Sequence, residues 1–343
     1  PMQSSKLNIS EIAKLLGVSK STVSKALNNS HEISDSTKLR IQKFAAKNNY
    51  KPNKLAVNLK SGTTKTIGVI IPSIQNNFFA KVLKGIEFVA TEADYNIITT
   101  ISNESYKKEV KSIELLSSGV VDGFILAIAE ETQINQNFNH FIETIQQNKP
   151  IVMFDRVTKD LICDQVIVDD FKAAYQATLH FVNLKCKTIA LVSTIDYLSV
   201  GKLRKDGYKK ALTEAFGKVD NDLIIVANAN NIDVKIMHLL KHKKIDAILA
   251  LDEDAVLATY KASKFNNYNL DHHMAIIGYA SEKIAENLTP SLTTLNQHGE
   301  RIGRNSAHLL LDKLKNKANI SFQKNLIVTT LVERESTKTY TFK

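Results

Sequence analysis

The sequence of 343 residues contains two cysteines, no tryptophan and no long apolar run. Neither Cys163 nor Cys186 has the CxxC or Cys/His spacing of a zinc site, and two cysteines are too few for a disulfide framework, so we expect two reduced, buried thiols. The most apolar stretch, 119–129, is interrupted by Asp122 and is shorter than the roughly 18 residues that cross a bilayer, which predicts that no segment spans a membrane. The first residues, PMQSSKLN, carry no apolar signal region, which favours a cytoplasmic protein.

Positive charge is concentrated in the first 60 residues. This segment holds eleven Lys or Arg against three acidic residues, so it carries +8 of the net charge of +10. A compact basic module is typical of phosphate binding, because each neutralised phosphate releases condensed counterions. A solvated basic tail is the alternative explanation of such a charge run. The lysines alternate with periodic apolar residues, which favours a folded module.

The basic segment has the pattern of a helix-turn-helix. Asn8 and Glu11 form a capping-box motif that begins a helix, and Gly17 ends it. Ser19 is the N-cap candidate of a second helix. The inward face of that helix carries three apolar residues, Val23, Ala26 and Leu27.

A third helix, capped by Ser34, is predicted to cover this pair. Its covering residues are Leu39, Ile41, Phe44 and Ala45. The outward face of the second helix is short, polar and cationic, which suits base edges and phosphates in a major groove. That face consists of Lys20, Ser21, Ser24, Lys25 and Asn28. A plain three-helix interaction module is the alternative.

The segment after Tyr50, KPNKLAVNLKSG, can form only a short helix over about residues 53–60. Pro52 begins it and Asn53 can cap it. Isolated helices need about 12–15 residues to become even marginally stable in water. We therefore expect residues 53–60 to become ordered only when DNA and a partner pack on them, which would let them transmit a switch.

The chain resembles the LacI/GalR family of bacterial transcriptional regulators along nearly its whole length. The matching strings are ISEIAKLLGVSKSTVSKALN (9–28), NYKPNKLAVNL (49–59), TIGVIIP (66–72), NNFFAKVLKGIE (76–87), VDGFI (121–125), LRKDGY (203–208), PSLTTLNQHGERIG (290–303) and LVEREST (331–337). The first two strings are the most specific. The resemblance implies a repressor that binds a pseudo-palindromic double-stranded DNA operator as a homodimer.

The resemblance also implies which residues contact DNA. Leu59 corresponds to a leucine that wedges between base pairs from the minor groove, and Ala56 packs beside it. The other DNA-contacting positions are Ile9, Ser19, Lys20, Ser21, Thr22, Ser24, Lys25, Asn28, Ser34, Thr37, Tyr50 and Asn53. Lys25 stands where an arginine is usual, which argues against bidentate reading of guanine there.

Residues 66–343 alternate apolar strands with helical stretches. Strands are predicted over 66–72, 96–101, 121–128, 151–155, 166–169, 188–193, 223–227, 245–251 and 274–279. This is βαβ repetition, which predicts parallel sheets covered by helices. Ligands in such folds bind at the carboxyl ends of the strands, so several loops are candidate ligand sites. These loops are 72–79, 155–156, 169–170, 194–204, 252–254 and 279–282.

The expected fold class is therefore α/β, with an N-terminal all-α helix-turn-helix DNA-binding domain (1–60), a linker (61–65) and a two-lobed domain of periplasmic-binding-protein type (66–343). The resemblance implies that the chain crosses between the lobes near residues 185, 297 and 327. One lobe would then comprise about 66–184 and 298–327, and the other 185–297 and 328–343. Each lobe would contain a doubly wound parallel sheet. The chain end, KTYTFK, has no leucine heptads, so we expect no tetramer-forming tail.

By the same resemblance, an effector binds in the cleft between the lobes. The residues at the family's effector positions are Phe78, Phe79, Arg204, Asp252 and Gln297. A planar guanidinium at Arg204 suits sugar hydroxyls or a carboxylate. Three positions that are often polar in the family are occupied by Ala127, Leu251 and Ala280, which predicts a less polar cleft. A carbohydrate is the first expectation, a nucleobase or other small metabolite the second, and a repressor without an effector or controlled by a protein the third.

Other functions have weaker support. His238 and His242, the His272-His273 pair and the acidic run 252–254 lack the spacing of a metal site, so we expect no metal or cofactor. No motif surrounds a catalytic triad or dyad, so we expect no enzyme. A sugar-binding transport component would share the body but would lack the helix-turn-helix. The predicted protein is therefore a cytoplasmic, nucleoid-associated regulator.

Overall fold

The computed structural model describes residues 7–50, 62–265, 274–316 and 321–338. The chain divides into two compact units, Pro1–Thr64 and Lys65–Lys343. No helix in the described ranges is long and apolar enough to cross a membrane.

The first unit contains three helices, α1 (Ile9–Leu16), α2 (Lys20–Leu27) and α3 (Asp35–Lys47). The predicted capping box is confirmed, because Asn8 Oδ1 accepts from Glu11 N at 3.0 Å while Asn8 N donates to Glu11 Oε2 at 2.9 Å. These two bonds satisfy donors that the first helical turn leaves unpaired.

Gly17 ends α1 in the left-handed conformation, with φ of 65°. A glycine adopts this conformation without the strain that a side chain would introduce. The tight turn lets Ser19 cap α2 two residues later, where its Oγ accepts from Thr22 N at 3.0 Å. The helix-turn-helix predicted over these residues is thus the observed local structure.

A small core holds the three helices together. Its fully buried members are Ile12, Ala13, Val23, Ala26 and Ile41. Phe44 packs against this core, but Leu39 is 54% exposed, so the prediction that it covers the helix pair is wrong. Leu39 precedes Ile41 by two residues, which rotates it about 200° around α3 and away from the inward face.

Ser34 occupies the N-cap position of α3, but its side chain makes no capping bond to the backbone. Its hydroxyl instead donates to Thr37 Oγ1 at 2.9 Å. Ser34 is therefore the N-cap residue, as predicted, but without a capping bond from its side chain. The predicted short helix over 53–60, with Asn53, Ala56 and Leu59, lies outside the described residues.

The second unit is built on two six-stranded sheets. The first has the order β11-β5-β4-β3-β1-β2 and all its pairs are parallel. Its strands are β1 (Thr66–Ile71), β2 (Asn96–Ile101), β3 (Gly123–Leu126), β4 (Ile151–Phe154), β5 (Asp164–Val168) and β11 (Lys324–Ile327). The central strands are apolar on both faces because helices cover both.

The second sheet has the order β12-β10-β9-β8-β6-β7, in which β12 alone pairs antiparallel. Its strands are β6 (Ile189–Ser193), β7 (Ile224–Val226), β8 (Ala247–Ala250), β9 (Ala275–Gly278), β10 (Thr293–Asn296) and β12 (Thr330–Val332). The first sheet and the helices that cover it form lobe 1, and the second sheet and its helices form lobe 2. The predicted α/β class with two parallel-sheet lobes is confirmed.

Helices connect and cover these strands. Lobe 1 contains α4 (Asn77–Glu92), α5 (Tyr106–Ser117), α6 (Glu130–Asn135), α7 (Asn139–Gln146) and α13 (Gly299–Lys315). Lobe 2 contains α8 (Asp170–Asn183), α9 (Ser199–Phe216), α10 (Ile232–His242), α11 (Glu253–Phe265), α12 (Glu282–Asn287) and α14 (Glu335–Lys338).

The first crossing between the lobes lies between β5 and α8, at about residue 169, so the predicted crossing near 185 is wrong. Helix α8 packs along α9 and against β8, and its Phe181 is buried in the core of lobe 2. The close contact depends on Gly207, where a Cβ would lie 2.1 Å from Phe171 O. The other crossings lie between β10 and α13 and between β11 and β12.

Both cysteines are buried, and neither forms a disulfide in the described ranges, as expected. Burial raises the pKa of the Cys163 thiol to about 12, so this thiol stays protonated near neutral pH.

Candidate nucleic-acid interface and interlobe cleft

The exposed end of α2 presents a polar surface. Lys20 and Ser21 are exposed at its N-terminal turn, and Asn28 is exposed at its other end. The Ser19 and Thr22 hydroxyls bond to each other at 2.8 Å, so each side chain helps to hold the other in place. A short cationic surface of this kind fits the edge of a nucleic-acid groove.

Lys25 differs from Lys20 in having an acidic partner. Its ammonium forms an ion pair with the Glu32 carboxylate, and both side chains are about half exposed. An exposed pair of this kind contributes little to stability and can exchange for a phosphate. Lys25 therefore offers less uncompensated charge than Lys20, which stands alone at the end of the helix among the described residues.

Several predicted contact residues also belong to the small core or its edge. Ile9 and Tyr50 are partly buried against the core, and burial raises the pKa of the Tyr50 hydroxyl. Ser24 is half-buried, and Thr37 is held by Ser34. Asn53, Ala56 and Leu59 are not among the described residues, so the surface that the structure brings together comprises the residues from Ile9 to Tyr50.

A cleft that is open to solvent lies between the two lobes of the second unit. It is formed at the carboxyl ends of the parallel strands, where loop geometry places side chains from both lobes. All five residues that the resemblance indicates line it: Phe78, Phe79, Arg204, Asp252 and Gln297. Five of the six candidate loops contribute lining residues, and 169–170 contacts the site indirectly through Arg204.

Two phenylalanines form one wall of the cleft. Their rings meet edge to face with centroids 5.4 Å apart. Phe79 is 2% exposed and also packs against Phe154, so its main role is in the core of lobe 1. Phe78 is half-buried, which leaves part of its ring available to a ligand.

Arg204 is buried and extensively bonded. Its Nε donates to Asp170 Oδ1 at 2.6 Å, and its Nη1 donates to Leu251 O at 2.6 Å. The guanidinium also lies 3.6 Å from the ring centroid of Tyr279. Burial opposes its charge, but Asp170 and the neighbouring Tyr279 and Asp155 outweigh burial and raise the pKa of Arg204. Arg204 therefore keeps its charge and is held at the cleft, with its Nε and Nη1 already bonded to the protein.

Asp252 is held by its own loop. Its carboxylate accepts from Thr194 N and Thr194 Oγ1, both at 2.8 Å, and from Ala255 N at 2.9 Å. Burial raises its pKa, although these bonds act in the opposite direction. The carboxylate ties β6 to the start of α11, so its first role is to shape the lobe 2 wall.

Sequence reasoning pointed to the loop at Asp155 and Arg156 without giving either residue a role. Asp155 is left-handed, with φ of 57°, and buried. Burial, together with the charge of Asp170, raises its pKa to about 6. Arg156 donates through Nη1 to both oxygens of Glu104, at 2.8 and 2.6 Å. Strain of this kind at a cleft is a feature of ligand sites, so the left-handed turn is the signal that the structure adds.

Two buried polar groups on the cleft wall have no hydrogen-bond partner in the described ranges. They are Arg156 Nε and the Tyr279 hydroxyl. Both residues line the cleft and are more than nine-tenths buried. Buried polar groups are normally satisfied, so these two are available to a ligand or to water.

The expectation of a less polar cleft applies to one of its three positions. Ala280 lines the cleft. Leu251 and Ala127 are fully buried in the cores of lobe 2 and lobe 1, so their side chains do not set the polarity of the cleft. Leu251 contributes its carbonyl to Arg204 instead.

The histidine pair on α10 is not built as a metal site. The rings of His238 and His242 lie 4.3 Å apart, and His242 Nδ1 bonds to the carbonyl of His238. No group of three His, Cys, Asp or Glu residues in the described ranges could hold a metal ion. His272 and His273 lie outside those ranges.

Comparison with known proteins assigns both units. Residues 64–335 match the family model described as periplasmic binding proteins and sugar binding domain of LacI family, and residues 8–53 match the model for bacterial regulatory proteins, lacI family. The HTH-type transcriptional regulator RegA of Clostridium saccharobutylicum is 29% identical over 338 residues, which is 96% of this chain and 99% of RegA.

Two solved structures are similar over most of their length. The lac repressor dimer bound to operator and the anti-inducer ONPF has a TM-score of 0.84 at 20% identity, covering 97% of this chain and 99% of the other. A LacI family regulator from Enterococcus faecium with bound ribose has a TM-score of 0.69 at 25% identity, covering 79% of this chain and 98% of the other.

Proposed function

The chain belongs to the lacI family of bacterial regulatory proteins, and from that premise we propose that it is a homodimeric repressor whose operator affinity is set by a small, neutral, polyhydroxylated effector. The observation that carries the effector class is the charge balance of the cleft. The Lys and Arg side chains among its described lining residues are already paired within the protein, so none of them offers an unpaired charge to an anionic ligand.

The pairing applies to each cation that lines the cleft. Arg204 is bonded to Asp170, Arg156 to Glu104 and Lys81 to Glu282, the last at 3.2 Å. The lining residues also include four carboxylates, Asp155, Asp252, Glu253 and Glu282. A phosphorylated or carboxylated ligand would meet net repulsion there. A neutral polyol instead offers hydroxyls to Asp155, Arg156 Nε and the Tyr279 hydroxyl, and a ring face to Phe78.

The first unit supplies DNA binding. We infer that the N-terminal turn of α2 enters the major groove, with Lys20 and Ser21 foremost, and that Lys25 exchanges Glu32 for a phosphate. The remaining predicted contacts from Ile9 to Asn53 position this helix on the duplex. Two copies related by a two-fold axis read the two half-sites of a pseudo-palindrome.

The switch depends on residues 53–60. We infer that this segment is ordered by the operator, with Leu59 and Ala56 in the minor groove, and released when the effector changes the lobe arrangement. A protein with this role acts at the chromosome, in the cytoplasm. The two alternative functions are distinguished as follows. A sugar-binding transport component would not require the three-helix unit, and an enzyme would convert the ligand that it binds into a product.

The effector class is tested by thermal denaturation of the full chain with D-ribose, D-glucose and cellobiose against their phosphorylated or acidic counterparts. A ligand that binds the folded state raises the melting temperature by mass action. We expect stabilisation by a neutral sugar and none by its phosphate or acid. Stabilisation by the anionic series alone would contradict the proposal, and loss of the sugar on incubation would reveal an enzyme.

A further inference from the structure

Helix α6 of lobe 1 makes side-chain contacts with lobe 2 beside the cleft. Gln133 Oε1 accepts from the backbone N–H of Ser199 at 3.0 Å. The Glu130 carboxylate lies beside the Tyr197 hydroxyl, and after burial its charge is the largest influence that raises the pKa of Tyr197. Gln133 and Glu130 both lie on α6, Ser199 begins α9 and Tyr197 precedes it by two residues, so the two contacts join the lobes directly.

The contact at Ser199 also completes a helix. The N-cap residue of α9, Leu198, has no side-chain cap bond, and the first N–H groups of a helix lack partners within it. Gln133 therefore caps α9 from the other lobe. Since α9 carries Arg204, the contact fixes the end of the helix that presents this residue to the cleft.

Helix α6 is short but firmly anchored to lobe 1. The fully buried Glu109 accepts from Ala129 N at 2.7 Å and from Thr132 Oγ1 at 2.6 Å, and it bonds His140 Nε2 at 3.0 Å. These bonds hold the first turn of α6 on α5 and α7. The contacts to lobe 2 are thus made from a fixed support.

Glu104 connects this support to the cleft wall. Its carboxylate holds Arg156, and its Oε2 also accepts from Glu130 N at 2.9 Å. The backbone of Glu104 is left-handed, with φ of 62°, and its carbonyl accepts from Glu131 N at 3.1 Å. Glu104 thus contacts both Arg156 and the start of α6. A ligand that bonds to Arg156 in the cleft would therefore also stabilise the residue, Glu104, that positions α6.

We propose that Glu130 and Gln133 form, with Tyr197 and Ser199, an interlobe latch that holds the cleft closed and thereby sets how long an effector stays bound. The proposal rests on the proposed function in one respect, that the cleft is where the effector binds. The effect of the latch on the separation of the lobes can be measured without a ligand. Tyr197 and Gln133 are positioning residues, since neither lines the cleft.

The latch is tested by measuring the separation of the lobes in the full-length protein without ligand. Spin labels are placed through Lys108→Cys on α5 and Lys202→Cys on α9, both exposed positions, while the native Cys163 and Cys186 are buried. Double electron–electron resonance then gives the populations of closed and open cleft. The hydrogen bond between Gln133 and Ser199 is expected to shift the closed-to-open ratio about fivefold.

We expect Gln133→Ala, which removes the bond to Ser199 N, to lower that ratio about fivefold, and Tyr197→Phe/Gln133→Ala to lower it further. The matched control is Tyr175→Phe, which removes a hydroxyl that donates to Glu214 at 2.6 Å within lobe 2 and should leave the distribution unchanged. Glu130→Ala removes the same interlobe contact from the other side, so it should add little to Tyr197→Phe.

The latch is overturned if the Tyr197→Phe/Gln133→Ala variant has the wild-type distribution, or if Tyr175→Phe opens the cleft equally. With D-ribose or cellobiose as probe, whichever stabilises the wild type, dissociation should be faster by the same factors in the latch variants. If no sugar binds the wild type while the latch variants still open, the effector proposal fails and the latch stands. If a sugar binds but its dissociation is unchanged in the latch variants, the latch does not control effector residence.

Discussion

Arg204 Nε and Asp170 Oδ1 lie 2.6 Å apart in a pair that is almost completely buried. The pair joins the first residue of α8 to the middle of α9, at the point where the chain has just crossed into lobe 2. Arg204 lines the cleft, whereas Asp170 does not. The residue that the family resemblance assigns to the effector is therefore also a structural residue, and its substitution has two consequences.

Arg204→Ala should lower the free energy of unfolding by about 3–5 kcal/mol, because it leaves the buried Asp170 carboxylate without its partner. Effector binding should be lost as well. Urea denaturation of the full chain measures the first effect. Arg204→Met/Asp170→Asn removes both charges and should recover most of the stability without recovering effector binding. Equal stability of Arg204→Ala and the wild type would show that the pair does not form.

Gly207→Ala should destabilise lobe 2 by about 1–3 kcal/mol or more, since overpacking forces neighbouring elements apart. The added Cβ would lie 2.1 Å from Phe171 O and 3.0 Å from Tyr175 N, both backbone atoms that cannot move alone. Thermal denaturation measures the loss. Lys210→Ala, on the exposed side of the same helix, is the control and should change stability by less than about 0.5 kcal/mol. A stable Gly207→Ala protein would exclude the close contact of α8 and α9.

Asp155 should make the protein more stable at mildly acidic pH. Burial raises its pKa from 3.8 to about 6, so the folded protein holds this proton at pH values where the unfolded chain has released it. The stabilisation is complete below about pH 4 and is lost as the pH rises through 6, with an upper limit of about 3 kcal/mol.

The check is the unfolding free energy of the wild type and Asp155→Asn at pH 5 and pH 7. Asparagine tolerates the left-handed backbone at this position, so the substitution removes the titration with little added strain. The wild type should gain more stability than the variant on going from pH 7 to pH 5. An identical gain in both proteins would show that Asp155 does not titrate in this range.

Leu59→Ala should weaken binding to a specific operator by about 1–3 kcal/mol while leaving non-specific binding nearly unchanged, because only a bent, specific site accommodates a wedge between base pairs. Fluorescence anisotropy on a selected duplex and on a scrambled one measures both affinities. Equal losses on the two duplexes would contradict the wedge role that the resemblance gives this residue.

Local features of this protein were predictable because their signals lie within one helical turn or one strand. Asn8 and Glu11 are three residues apart, and Gly17 marks its own left-handed turn. The βαβ alternation likewise predicted the parallel sheets and the edge at which the cleft forms. The order of small and apolar residues was enough to predict the helix ends and the sheets, because these features depend on residues that are close in sequence.

Contacts between distant residues were not predictable in the same way. The crossing near 169 depends on α8 packing on Gly207, and nothing in residues 170–183 states which sheet they cover. Arg204 bonds to Asp170, which is 34 residues away in the sequence, and Arg156 bonds to Glu104, which is 52 residues away. Leu251 and Ala127 were placed in the cleft because of their position in the family. Each follows directly after a buried strand, β8 or β3, and its side chain is buried in the core of its lobe.

Binding of operator DNA by the basic three-helix unit is tested by measuring how the affinity depends on salt concentration. Duplexes selected by the full chain from genomic fragments should bind with an affinity that falls steeply and log-linearly between 50 and 200 mM salt, by roughly 10³-fold or more if six or more phosphates are neutralised. Lys20→Ala should reduce the slope by about 1.8, or about 0.9 from each subunit of the dimer, whereas Lys111→Ala on α5 should not change it. An affinity that stays flat over this range, with no duplex preferred over another, would contradict the account.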